Sequence, residues 1–172
     1  AAVVSGRMNL APIGLSTYSR INHLKRTVEA LRNNTLARRS ELYVFSDAPK
    51  AGDESKVASV REFLRTIDGF RNVRVIERET NGRVANSRSG IGRLLDEYGR
   101  CVFMEEDIVT APGFLQFMND ALDSYEKDSR MLSVSGYAPP LPIRKGFVGD
   151  VYLLRRLSGW GVGFWKEKYR KI

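Results

Sequence analysis

From residue 11 to residue 125, short apolar runs alternate with longer amphipathic segments, and this alternation constrains the fold more than any single motif does. Ala11–Leu15, Leu42–Phe45, Val73–Ile76 and Cys101–Met104 read as buried strands. Between them, Arg20–Asn33 carries Ile21, Leu24, Val28 and Leu31 on one helical face, and Glu54–Ile67 carries Val57, Val60, Leu64 and Ile67 on another. Val84–Tyr98 reads as a helix weakened by Gly90 and Gly92, and Ala111–Tyr125 as a helix with a wide apolar face. This order predicts an α/β fold, a mostly parallel central sheet with helices on both faces. Right-handed crossovers then bring every strand's carboxyl end to one edge. The turns Ser16–Arg20, Ser46–Pro49, Glu77–Gly82 and Glu105–Thr110 should converge there by topology. Beyond residue 125 the pattern predicts a fifth strand at Met131–Ser135, a proline-bearing loop at Gly136–Gly149 and a sixth strand at Val151–Leu154. A closing segment, Leu157–Ile172, is anchored by Trp160, Phe164, Trp165 and Tyr169.

Several chemistries are excluded early. The sequence lacks a Gly-x-Gly-x-x-Gly turn, a Walker sequence and a Gly-x-Ser-x-Gly elbow. Cys101 is the only cysteine and His23 the only histidine, so an intrachain disulfide and a Cys/His zinc site are both out. Cys101 lies in an apolar run and reads as a core thiol, and His23 reads as an ordinary helix residue. No apolar run reaches membrane-spanning length and no signal peptide is visible, so any targeting or anchoring segment would lie outside these residues. The 172 residues suggest one domain. The net charge of +8 points to an anionic partner, either a polyanion or a phosphorylated small molecule. The aromatic residues are not interleaved with a basic stripe, which argues against nucleic acid.

The stretch that carries chemistry follows the fourth strand. Glu105, Glu106 and Asp107 stand in a row before Thr110-Ala111-Pro112. Carboxylates crowded at the end of a buried strand repel one another unless a divalent cation or a basic side chain joins them. Extended alternation points Glu105 and Asp107 one way and Glu106 the other. Hard cations such as Mg²⁺ or Mn²⁺ accept one or two carboxylates plus phosphate oxygens and water. Asp47, directly after strand two, is either an acceptor for a uracil imide N–H or a sugar hydroxyl, or an ordinary Asp turn before Pro49. Asn81, Gly82 and Arg88 follow strand three, where an Arg fork suits phosphate and a solvated helix face is the plainer use. Trp160 and Trp165, flanked by glycines, suit either sugar-ring contact or local core closure.

These features, taken in order, resemble nucleotide-diphospho-sugar glycosyltransferases of the GT-A fold. Residues 12–31, PIGLSTYSRINHLKRTVEAL, resemble the first strand and helix of family-2-type transferases. Residues 81–92, NGRVANSRSGIG, are similar to their Asn-Gly segment, with Ser87 and Ser89 departing on either side of Arg88. Residues 103–118, FMEEDIVTAPGFLQFM, are similar to the N-acetylglucosaminyltransferase I type, with Glu106 where that type has Asp. Residues 158–169, SGWGVGFWKEKY, resemble a Trp-Gly-Trp-x-x-Trp segment, with Gly159 and Val162 departing. The resemblance implies donor contacts from Ser16, Tyr18, Arg20, Asp47, Asn81, Arg88, Glu105 and Glu106. It implies Mn²⁺ or Mg²⁺ on Asp107, and Trp160 and Trp165 beside donor sugar and acceptor. The implied partners are a UDP-linked or other nucleotide-sugar donor and a glycan or other hydroxyl acceptor. Glu167 is the only carboxylate after Trp165 and thus the one candidate base within these residues. Family members carry further chain at this point, which implies truncation on the C-terminal side and a base beyond Ile172. A cytoplasmic setting follows for a bacterial source and the Golgi lumen otherwise. The readings set against this one are a sugar-phosphate nucleotidylyltransferase, disfavoured by the Ser16–Arg20 loop, and a noncatalytic polyanion or glycan binder.

Overall fold

The computed structural model describes residues 10–140, 142, 145–149 and 151–171. The sheet is six-stranded. Its strands are β1 (Ile13–Thr17), β2 (Glu41–Ser46), β3 (Asn72–Glu77), β4 (Arg100–Glu105), β5 (Ser133–Ser135) and β6 (Val162–Trp165), in the spatial order β3-β2-β1-β4-β6-β5. β3, β2, β1 and β4 run parallel, whereas β6 is antiparallel to both β4 and β5. The helices are α1 (Ile21–Arg32), α2 (Glu54–Leu64), α3 (Arg83–Tyr98), α4 (Phe114–Tyr125) and a short α5 (Lys166–Tyr169).

Strand periodicity sorts the core into two faces. Ile13 and Leu15 of β1, Leu42 and Val44 of β2, and Val102 and Met104 of β4 pack with α1, α2 and α4. The intervening Tyr43, Phe45, Cys101 and Phe103 pack with Ile91, Leu94 and Leu95 of α3. On α1, Leu24, Thr27, Val28 and Leu31 are buried, the three-and-four spacing of a helix lying on a sheet. Gly14 is required by close approach, because a Cβ there would fall 2.4 Å from Cδ2 of Phe103, whose ring crosses β1. Gly99 ends α3 in the left-handed conformation, φ +76°, and its amide donates to the Leu95 carbonyl.

β1, α1, β2, α2 and β3 wind in one direction across the sheet. After α3 the chain returns to the other side of β1 to form β4. The carboxyl ends of β1 and β4 therefore flank the topological switch point, where an open α/β sheet leaves its crevice. Their register pairs Ser16 with Glu105 at that edge.

The expected elements need correction after residue 110. Val151–Leu154 is not a strand; Val151, Leu153 and Leu154 are exposed. The sixth strand is Val162–Trp165, inside the segment expected to supply aromatic anchors. Gly163, with Gly159 and Gly161 just before the strand, conceals it in the sequence, yet Gly163 lies flat under Met118 and Leu122 of α4, where a Cβ would be 3.1 to 3.3 Å from their side chains. α4 begins at Phe114, after a turn closed by the Phe114 amide on the Ala111 carbonyl. Leu141, Ile143 and Arg144 of the expected loop, and residues 1–9, lie outside the described residues.

Candidate functional site

The acidic triplet begins at the last residue of β4, Glu105, and continues into a turn at Glu106 and Asp107. Glu105 and Asp107 line a cavity of about 560 Å³ together with Val109, Phe117, Tyr137 and Trp160. Glu106 turns the other way and is buried. Its backbone carbonyl accepts from Thr27 Oγ1 of α1 at 2.7 Å, which fixes the turn. A basic side chain joins the carboxylates: Arg20 Nε meets Glu106 Oε1 at 2.9 Å, and one Nη meets Asp107 Oδ2 at 3.0 Å. The Glu106 bond, above all, raises the Arg20 pKa and keeps the guanidinium charged. Arg20 itself holds the N-cap position of α1, so backbone geometry delivers it to the switch point.

The far wall is aromatic. Tyr137 follows β5, Trp160 precedes β6, and their rings meet at a centroid distance of 4.5 Å. Gly161 makes this approach possible in two ways. Its φ of +73° belongs to the left-handed region, and a Cβ there would come within 2.8 Å of the Phe114 ring. The Gly136 amide donates to the Gly161 carbonyl at 2.8 Å, tying the two aromatic turns together. Tyr137 and Phe117 were not expected at the site. Their only sequence signal was position, Tyr137 two residues after a short strand and Phe117 on the wide apolar face of α4.

A second polar cluster forms at the ends of β1, β2 and β3. Asp47 is buried and already surrounded by its own chain. It accepts from the Gly82 amide at 3.1 and 3.0 Å to its two oxygens, from Asn81 Nδ2 at 3.2 Å and from the Ala48 amide at 3.0 Å. Arg78 Nε stands 3.6 Å away. Asp47 thus holds the entry to α3. Ser16 Oγ accepts from Asn86 Nδ2 at 3.1 Å, and Asn86 Nδ2 also reaches the Phe45 carbonyl. Tyr18 donates to Asp53 Oδ2 at 2.9 Å and accepts from the Lys50 amide at 3.0 Å. Desolvation first, then the Asp53 bond, raises the Tyr18 pKa. Arg88 is exposed on α3 and does not line the cavity.

Two expected residues fall elsewhere. Trp165 is buried in the core, its Nε1 donates to the Leu122 carbonyl at 3.0 Å, and Lys168 Nζ lies 3.9 Å from its ring centroid. It is a packing residue rather than a sugar contact. Glu167 follows β6, which runs antiparallel to β4 with Trp165 opposite Arg100. At about 3.3 Å per residue, Glu167 is therefore roughly 15 Å or more from the carboxyl end of β4, at the wrong edge of the sheet. It pairs weakly with Arg170 at 3.7 Å and cannot serve as the base for this cavity.

Among the described residues, no group of three or more His, Cys, Asp or Glu assembles to hold a metal. The donors facing the cavity are the carboxylates of Glu105 and Asp107, hard oxygens only. That set fits Mg²⁺ or Mn²⁺ completed by phosphate and water, and does not fit a self-sufficient protein cage.

No protein-family model matches the sequence, and no curated protein matches it. Solved structures do share the fold. Residues 1–349 of TarS from S. aureus, in complex with UDP, superpose with a TM-score of 0.56 at 17% identity, covering 88% of this chain and 46% of that one. The same TarS fragment in complex with UDP-GlcNAc gives 0.53 at 15% identity, covering 88% and 44%. The mannosyltransferase PcManGT from Pyrobaculum calidifontis, in complex with GDP-Man and Mn²⁺, gives 0.53 at 13% identity, covering 93% and 46%. The chain spans less than half the length of these structures. The mostly parallel sheet flanked by helices is thus a fold shared with solved glycosyltransferases.

Proposed function

We propose that this chain is the donor-binding domain of a glycosyltransferase that moves a sugar from a nucleotide diphosphate sugar, UDP-linked, to an acceptor hydroxyl. The observation that carries the reading is the meeting of Glu105, Asp107, Tyr137 and Trp160 in one cavity at the switch point of a fold whose solved examples bind UDP, UDP-GlcNAc and GDP-Man. Asp107, with Glu105 beside it, would hold Mn²⁺ or Mg²⁺. When bound, the ion supplies neutralisation of the charge that develops on the leaving diphosphate. Arg20 brings a second positive charge to the same place. Glu105 accepts hydrogen bonds from donor-sugar hydroxyls, and the Tyr137–Trp160 pair presents flat apolar faces that cover the sugar and exclude water. Ser16, Tyr18, Asn81 and Asp47 shape the nucleoside end. Asp47 acts through the Asn81–Gly82 turn it holds.

The test is thermal stabilisation by UDP and GDP, with and without Mn²⁺. The expected result is a shift with UDP that grows with Mn²⁺ and is lost in Asp107→Asn. Equal shifts with any polyanion, abolished by salt and indifferent to Mn²⁺, would replace this reading with polyanion binding.

A further inference from the structure

Arg20 occupies the place where the nucleotide-sugar reading puts a cation, and the inference that follows rests on that reading. Its guanidinium is anchored at one end and competes at the other. Nε is fixed by Glu106, whose side chain is only 8% exposed. The Asp107 partner is looser, 37% exposed and facing the cavity. The two bonds therefore differ in kind. Breaking the Glu106 bond would strand a buried carboxylate. Breaking the Asp107 bond only exchanges one half-exposed ion pair for another contact.

We infer that Arg20 is a built-in counter-ion that blocks Asp107 to a lone divalent cation and makes cation and diphosphate load together. With the cavity empty of phosphate, a cation approaching Asp107 meets a guanidinium already bonded to Oδ2. It must either displace that Nη or sit beside a fixed positive charge. A diphosphate changes the balance, because its oxygens take over the guanidinium while Nε stays on Glu106. Arg20 then becomes a phosphate ligand without leaving its anchor, and Asp107 is released to the cation. Arg20 is a positioning residue for the cation and a binding residue for the phosphates.

The two roles predict opposite signs, which a merely structural role does not. Two unit charges about 4 Å apart repel by about 1 kcal/mol even in bulk water, and a divalent ion doubles this. Removing the guanidinium should thus tighten binding of Mn²⁺ alone by roughly ten-fold or more. It should weaken binding of UDP without metal by a similar factor. The experiment measures free Mn²⁺ by electron paramagnetic resonance and UDP by calorimetry for the wild type, Arg20→Lys, Arg20→Met, Glu106→Gln and Arg20→Met/Glu106→Gln. The double variant carries no stranded buried carboxylate and is read against Glu106→Gln, so that only the guanidinium differs, which keeps the test valid if Arg20→Met alone fails to fold. Arg20→Lys, a point charge without the fork, should fall between wild type and Arg20→Met for both ligands. Support is tighter Mn²⁺ together with weaker UDP. The inference is overturned if the wild type binds Mn²⁺ with UDP but the Arg20→Met variants bind Mn²⁺ alone no better. A wild type that binds UDP but no Mn²⁺ overturns this inference alone, and one that binds UDP neither with nor without Mn²⁺ overturns the nucleotide-sugar reading and this inference with it.

Discussion

Gly90 and Gly92 lie two residues apart on α3, and the structure predicts opposite effects for the same substitution. Either glycine replaced by alanine gains about 1 kcal/mol of helix propensity, since the unfolded chain loses freedom it no longer has to surrender. At Gly92 a Cβ meets nothing within 4 Å, so Gly92→Ala should stabilise by about 1 kcal/mol. At Gly90 it would lie 2.9 Å from Cδ2 of Phe45 and 3.0 Å from two more ring atoms. That ring cannot retreat. Phe45 is 3% exposed, and the Phe103 ring beside it, 6.1 Å centroid to centroid, is itself pressed onto Gly14. Overpacking of this kind costs about 1–3 kcal/mol. Gly90→Ala should therefore fall between neutral and about 2 kcal/mol destabilising, and the two variants should differ by about 1–3 kcal/mol. For a chain of this size that is roughly 2–4 °C in melting temperature for each kcal/mol. Urea denaturation followed by far-UV circular dichroism measures the difference, and a Phe45→Leu background tests its cause. With the ring removed, Gly90→Ala should become stabilising like Gly92→Ala. Equal stabilities for the two single variants in the wild-type background would refute the argument. The effect should reach the site as well, because Asn86, one turn earlier on α3, bonds Ser16 and the Phe45 carbonyl.

Other outcomes follow from the same geometry. Asp47→Ala removes the acceptor of the Gly82 amide and the Asn81 side chain and should cost about 1–3 kcal/mol in a denaturation experiment, with loss of UDP binding following from a disordered entry to α3. Glu167→Gln should leave UDP binding unchanged by calorimetry, because Glu167 stands at the opposite edge of the sheet. Burial pushes the Cys101 thiol up to about 12 from 9.0, so the native protein should resist iodoacetamide and react once unfolded. The sign follows: the neutral thiol's contribution is complete below about pH 9 and is lost as pH rises toward 12, a loss that Cys101→Ala should abolish in a pH series of melts.

The alternation of apolar runs determined most of the fold through residue 125. The period-two pattern in Leu42–Phe45 and Cys101–Met104 and the three-and-four spacing in α1 are local physics, and tertiary packing only confirmed them. The acidic triplet was legible as a cluster at a strand end, but its orientation was not, because Glu106 and Asp107 form a turn rather than extended strand and Arg20 binds both carboxylates. Beyond residue 130 the fifth strand was legible, observed as Ser133–Ser135 within the expected Met131–Ser135, but the sixth was not. Val151–Leu154 has strand composition but forms no strand, whereas Val162–Trp165, interrupted by Gly163, finds two neighbour strands and a helix that packs where Gly163 has no side chain. Pairing direction was equally hidden, and it decided which residues line the cavity. Because β6 runs antiparallel, Trp160 enters the cavity while Trp165 is buried and Glu167 is carried to the far edge. Which positive charge would answer the carboxylates was also open in the sequence, a cation or a basic side chain. Only the tertiary structure put Arg20, 86 residues from Glu106, within hydrogen-bond reach of it. The physical reason is general to this chain: periodicity fixes what a segment buries, but a contact between distant segments depends on strand order and direction, which no local pattern encodes.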